Sequence, residues 1–224
     1  MYGGLMRMWT PDVRLGRGRI ACVEALERHE ELVRACSLCF PGGGNAPVVD
    51  VPKDVRVLLV AQAPGLTEVL TRLPFTGPAG ARLEGWFTEA DVSRGEIYLT
   101  ALARCFPGKA LGGGDRVPSR AMIANCRAHL SREFELLRPE VVVPVGGLAA
   151  RELLGIGRLS EVVGETIRRD GVVYVPLPHP SGASTWLNVP ENRGRLFRAL
   201  AVLGRLVAAG RIGGSGARAR RRKS

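Results

Sequence analysis

The 224-residue sequence has no run of about eighteen apolar residues, so no segment is built to cross a membrane as a helix. Met1 to Leu15 carries Arg7 and Arg14 but no continuous apolar stretch, so a secretory leader is not expected and a reducing, cytoplasmic setting is. No Gly-x-x-x-x-Gly-Lys-Ser/Thr segment occurs, which leaves nucleotide hydrolysis unsupported. Residues 211–224 contain no acid. Of the 32 Lys and Arg residues, Arg211, Arg218, Arg220, Arg221, Arg222 and Lys223 lie there, leaving 26 cations against 21 acids on the rest, so a formal charge of +11 falls to +5. With Gly213-Gly214-Ser215-Gly216 ahead of it, this basic end is too poor in apolar residues to pack. It is expected to be a disordered tail that attracts phosphate polymers through counterion release or serves only as a solubilising end.

What the chain does have is a spaced set of thiols. Cys36 and Cys39 are two residues apart, and Cys105 and Cys126 follow far downstream. In a reducing compartment such cysteines more often bind metal than pair as disulfides. The first pair runs into Phe40-Pro41-Gly42-Gly43-Gly44, a loop whose backbone can turn both sulfurs onto one centre. Four thiolates suit tetrahedral zinc or a [4Fe–4S] cluster, and spacing alone does not separate them; four buried free thiols are the plainer alternative. Cys22 falls on a helical face and belongs to the core.

The apolar pattern alternates strands with helices. Arg19 to Cys36 reads as an amphipathic helix with Ile20, Val23, Leu26 and Val33 inward and Glu24, Glu27, Glu30 and Glu31 elsewhere. Val55 to Val60, Glu96 to Thr100, Val141 to Val145 and Val172 to Leu177 read as buried strands. Helices are expected at Gly80 to Ala90, from a Ser119 cap through Leu137, at Leu148 to Leu154, and at about Asn192 to Ala209. The segment after the first strand and the stretch Phe106 to Pro118 read as loops. This order predicts a three-layer α/β/α sandwich on a central, mainly parallel sheet, with ligands bound beyond the carboxyl ends of the strands. Residues 1–18 form an extension, 19–210 one domain and 211–224 the tail.

Four segments fall at those strand ends: Ala61-Gln62-Ala63-Pro64-Gly65, then Pro74-Phe75-Thr76-Gly77-Pro78-Ala79-Gly80, then Tyr98 through Cys105, and last His179-Pro180-Ser181. In this order, with the four cysteines, they resemble the uracil-DNA glycosylase superfamily, specifically its iron–sulfur branches, families four and five, over about residues 30 to 205. The resemblance implies the fold already predicted, a [4Fe–4S] cluster of structural role held by Cys36, Cys39, Cys105 and Cys126, DNA as partner, and a monomer. It also implies hydrolysis of the bond between a damaged base and its sugar.

That chemistry can be read on the residues. Breaking an N-glycosidic bond leaves negative charge on the departing base, so the pocket needs hydrogen-bond donors aimed at it. The nucleotide must first leave the duplex and stack on an aromatic face. By the resemblance His179 donates to the base carbonyl, Phe75 stacks, Ser181 orients the loop, and Gln62, Ala63, Pro64 and Gly65 wall the base pocket. A core role for Phe75 and a plain polar role for His179 remain the alternatives from sequence. Trp186 or Leu187, in Gly182 to Leu187, is expected either to wedge into the minor groove or, for Trp186, to pack beneath its loop.

Departures from the family pattern narrow what the site can do. Ala63 stands where many members carry a water-positioning acid or amide, Gln62 where family four has glutamate, and Ala101 where tight uracil readers use asparagine. The sequence thus predicts a monofunctional glycosylase for uracil or a related deaminated base, with Gln62, Asn188 or Asn192 left to position water; both asparagines are also plausible caps. The alternative is a catalytically weak or inactive DNA-damage-binding module of the same fold and cluster.

Overall fold

The computed structural model describes residues 19–182 and 185–219; the expected extension 1–18, Ala183, Ser184 and 220–224 lie outside the described residues. Five strands, β1 (Val57–Ala61), β2 (Ile97–Ala101), β3 (Val141–Pro144), β4 (Ile167–Arg169) and β5 (Val172–Tyr174), lie in the order β2-β1-β3-β5-β4. All neighbouring pairs are parallel except β4 with β5. Helices α1 (Arg19–Arg34), α2 (Leu66–Thr71), α3 (Pro78–Glu89), α4 (Arg120–Leu137), α5 (Gly147–Leu154) and α6 (Pro190–Ala219) complete the fold.

Strand alternation builds two cores. Val57, Leu59 and Ala61 of β1, with Val141 and Val143 of β3, face Leu83, Trp86 and Phe87 of α3 and Leu196, Leu200 and Leu203 of α6. Leu58, Val60 and Val142 point the other way, onto Leu26 of α1, Leu130 and Leu137 of α4 and Leu153 of α5. With both faces covered, β1 and β3 are apolar and buried throughout, as central parallel strands are. The chain passes from β1 outward to β2 and then returns to β3 on the other side of β1. The carboxyl ends of β1 and its neighbours are therefore the crevice where such sheets bind ligands.

The edge of β2 is not left open. Val48 donates its amide to the Arg104 carbonyl at 2.8 Å, and the buried Asp50 carboxylate accepts the Leu99 amide at 2.9 Å and Lys53 Nζ at 2.7 Å. A segment with no strand signature thus satisfies an edge that would otherwise template pairing with another chain.

Two expectations are corrected and one unexpected strand is added. The glycine- and threonine-rich segment after β1 contains α2, a helix too short to show periodicity. The edge strand β4, rich in arginine, carries no apolar run. Glu30 is fully buried instead of lying on the polar face of α1: it accepts from Tyr98 Oη at 2.9 Å and pairs with Arg34 at 3.0 Å, while burial pushes its carboxyl up to about 7. In addition, α6 runs on through Ala219, past its expected end and into the segment expected to lack regular structure. A packed helix is already nucleated, and each added residue gains a hydrogen bond for the dihedrals it fixes.

Among the described residues no helix is long and apolar enough to cross a membrane.

Candidate functional site

A cavity of about 650 Å³ opens at the carboxyl ends of the strands. Its wall is made by 61–68 after β1, by Pro74, Phe75 and 77–79 leading into α3, and by Thr100, Ala101 and Arg104 at the end of β2. The far side is 114–116 of the next loop together with His179, Ser181 and Gly182 after β5. Eight of the expected residues, Gln62, Ala63, Pro64, Gly65, Phe75, Ala101, His179 and Ser181, therefore share one cavity. Backbone bonds from Leu102 to Ala61 (2.9 Å) and from Ala103 to Gln62 (3.2 Å) lock the first motif to the segment after β2.

A buried acid that sequence reading missed ties two of these segments together. Glu68 of α2 is 8% exposed; its Oε2 accepts the Gly65 amide at 3.0 Å, and its Oε1 accepts those of Thr76 and Gly77 at 3.1 and 2.9 Å. Three N–H donors satisfy a carboxylate that would be costly to bury alone. Between these anchors Phe75 sits at φ 56°, the left-handed region that bulky residues avoid, and Arg94 donates to the Pro74 carbonyl.

Gly80 permits this loop to close on α3. A Cβ there would lie 1.9 Å from the Phe75 carbonyl oxygen, which is backbone and cannot swing aside. Gly80→Ala is expected to cost on the order of 1–3 kcal/mol and to displace Phe75. Gly85→Ala in the same helix, where a Cβ meets nothing within 4 Å, should instead be neutral or stabilise by roughly 1 kcal/mol. Thermal denaturation of the two proteins side by side checks the contrast.

His179 is presented in a defined tautomer. Its Nδ1 accepts the Ser181 amide N–H at 3.2 Å, so in the neutral ring the proton resides on Nε2, which is left to donate. Burial lowers its pKa, with Asp115 pulling the other way, and the ring is neutral at physiological pH. Arg82 of α3 donates to the Ser181 carbonyl at 2.9 Å and fixes the far end of the same turn.

The remaining expected residues lie elsewhere. Trp186 packs against the core formed with α3 and α6, as does Leu187, and neither lines the cavity. Trp186 is half-buried, its indole resting partly on the core. Asn188 is exposed on the Thr185–Asn188 turn and is likewise outside the cavity lining. Asn192 donates to the Trp186 carbonyl at 2.9 Å and so holds that turn.

The four thiols lie near one another. Burial, and then the charges of Cys126, Cys39 and Cys36, push the Cys105 thiol up to about 12, so all four occupy one neighbourhood. Two sulfurs already accept hydrogen bonds, Cys126 Sγ from the Arg104 amide at 3.4 Å and Cys39 Sγ from Asn125 at 3.5 Å. Among the described residues no three His, Cys, Asp or Glu side chains close around a single ion. A four-iron cluster binds one thiolate per iron at the corners of a cube, so it needs the sulfurs wider apart than a lone ion does. The all-sulfur donor set suits such a cluster.

Arg104 links the two regions. Its guanidinium, 2% exposed, pairs with the fully buried Glu133, whose Oε2 also accepts from Thr100 Oγ1 at 2.8 Å. Burial opposes the charge on Arg104, but the neighbouring Glu133, Tyr98 and Cys126 raise its pKa above the ordinary value.

The family model described as the uracil DNA glycosylase superfamily matches residues 48–201. The chain is 27% identical over 143 residues to a type-4 uracil-DNA glycosylase of Pyrobaculum aerophilum, covering 62% of this chain and 70% of that protein. It is 28% identical over 163 residues to a type-4 uracil-DNA glycosylase of Thermotoga maritima, covering 70% and 82%. To a type-5 uracil-DNA glycosylase of Pyrobaculum aerophilum it is 34% identical over 103 residues, covering 45% and 40%.

Proposed function

The chain belongs to the uracil DNA glycosylase superfamily, and from that premise we propose that it is a monofunctional DNA glycosylase that releases uracil or a related deaminated base. The observation that carries the reading is the cavity in which Phe75, the first motif and a neutral His179 face one another. A nucleotide flipped from the helix would stack its base on Phe75, and His179 Nε2–H would donate to the base oxygen as that oxygen becomes anionic. The amides of Gln62 and Ala63 offer further donors. Cations of the basic carboxyl end would add phosphate attraction.

Methyl groups at Ala63 and Ala101 leave the pyrimidine edge without a paired amide test, so the reading is of a broad pocket for deaminated bases. The same two alanines favour the second reading, a damage-binding module with little turnover. Oligonucleotides bearing uracil, hypoxanthine, xanthine or a thymine mismatch, treated with alkali after incubation, separate them. Strand scission on at least one supports hydrolysis, and binding without scission supports the module.

Cys36, Cys39, Cys105 and Cys126 would hold a [4Fe–4S] cluster, whose contribution is to anchor the end of α1, the end of β2 and the start of α4. The anaerobically purified protein is expected to be brown with about four irons per chain. Zinc without iron would contradict this. Cys105→Ala should lose soluble protein, since folding energy is tied to the site.

A further inference from the structure

The geometry points to Asp115 as the carboxylate that positions and deprotonates the attacking water. This inference rests on the glycosylase reading and supplies what Ala63 and Gln62 do not. Among the described residues two acids line the cavity, Glu68 and Asp115. Glu68 is excluded because both of its oxygens already accept backbone N–H donors and its side chain is buried. Asp115 is exposed, with Oδ1 accepting from Lys109 Nζ at 2.7 Å. Its Oδ2 leans over the first motif, 2.9 Å from where a Cβ on Gly65 would stand. A Cβ at residue 65 would crowd that oxygen, and equally Glu68 Oε2, also at 2.9 Å; glycine leaves room for both.

Asp115 and His179 line the same cavity, and the Asp115 charge opposes the lowering of the His179 pKa. Backbone bonds define the turn that carries Asp115. Arg116 N bonds to Gly108 O at 2.9 Å and Ala110 N to Gly114 O at 3.1 Å, closing a small hairpin over the bridge between Lys109 and Asp115.

In the step proposed, a bond forms between the water oxygen and the sugar C1′ while the C1′–N bond breaks. The water proton passes to Asp115, and the electron pair of the broken bond leaves with the base, whose charged oxygen accepts from His179 Nε2–H. The base then takes a proton from solvent and Asp115 returns its own, leaving an abasic site and free base.

The test compares wild type, Asp115→Asn and Asp115→Ala in single-turnover excision of whichever panel base wild type removes fastest. Affinity for a duplex bearing a tetrahydrofuran abasic analogue and thermal midpoints are measured in parallel. Both variants are expected to excise roughly a hundredfold or more slowly, the span general-base removal covers, with analogue affinity within about twofold and unchanged midpoints. Added formate should raise the rate of Asp115→Ala and not that of wild type. Variant rates within about threefold of wild type overturn the assignment while leaving the glycosylase reading intact. A matching loss of analogue affinity or midpoint, or no gain with formate, also overturns it. A wild-type protein that excises none of the four bases defeats both.

Discussion

His179→Ala is expected to slow single-turnover excision roughly a hundred- to a thousandfold, about 3 to 4 kcal/mol, while binding damaged DNA almost normally. The base oxygen is a weak acceptor in the ground state and a strong one once charge reaches it, so a donor fixed in advance acts mainly in the transition state. The Ser181 amide on Nδ1 at 3.2 Å does that fixing. The sign of the pH dependence follows from the same bond. Because burial lowers the His179 pKa, the neutral, donating form persists upward from its ordinary value of 6.5, and the rate should stay level as pH rises. Acid strong enough to protonate Nδ1, below that value, removes the Ser181 contact and should lower the rate. Excision by His179→Ala within about threefold of wild type would remove the imidazole from catalysis.

Arg104→Met is expected to destabilise the protein by about 3–5 kcal/mol, because it strands the fully buried Glu133 carboxylate without its cation. Replacing both partners tells pairing from packing. Arg104→Met combined with Glu133→Leu should recover most of the loss, since the pair exchanged charge hydration for mutual attraction with little net gain. Recovery should stop short by roughly 1–3 kcal/mol, the cost of leaving the Thr100 hydroxyl without its acceptor. Adding Thr100→Val should regain that remainder. Thermal midpoints of the four cluster-loaded proteins check the series, and a double variant no more stable than Arg104→Met would contradict it.

Much of the fold was legible because its signals are local. The β-branched runs at β1 and β3 fix their own alternation between two cores, and Ser119 caps α4 by accepting the Met122 amide at 3.2 Å, as a residue of its type at that place should. The motif residues at the strand ends do share a cavity, which follows from a parallel sheet having all its exits on one side. What sequence could not carry were charges buried by distant partners. Glu30 finds Tyr98 68 residues on, and Arg104 finds Glu133 29 residues on; nothing in their neighbours marks them as interior. Asp115 was hidden differently, in a glycine-rich stretch that reads as featureless until the hairpin turns it into the cavity. Trp186 and Asn188 were placed by the resemblance and by their position beyond the histidine motif; both sit on the Thr185–Asn188 turn, outside the cavity lining.

The measurement that bears most directly on the account is the mass-spectrometric detection of free base released by the wild-type protein under single-turnover conditions. Oligonucleotides carrying uracil, hypoxanthine, xanthine or a thymine mismatch are each incubated with excess cluster-loaded enzyme. Release of at least one deaminated base in amounts equal to the abasic sites formed is the predicted result. Tight binding to the same oligonucleotides with no free base from any of them would contradict it and leave the fold as a damage-binding module.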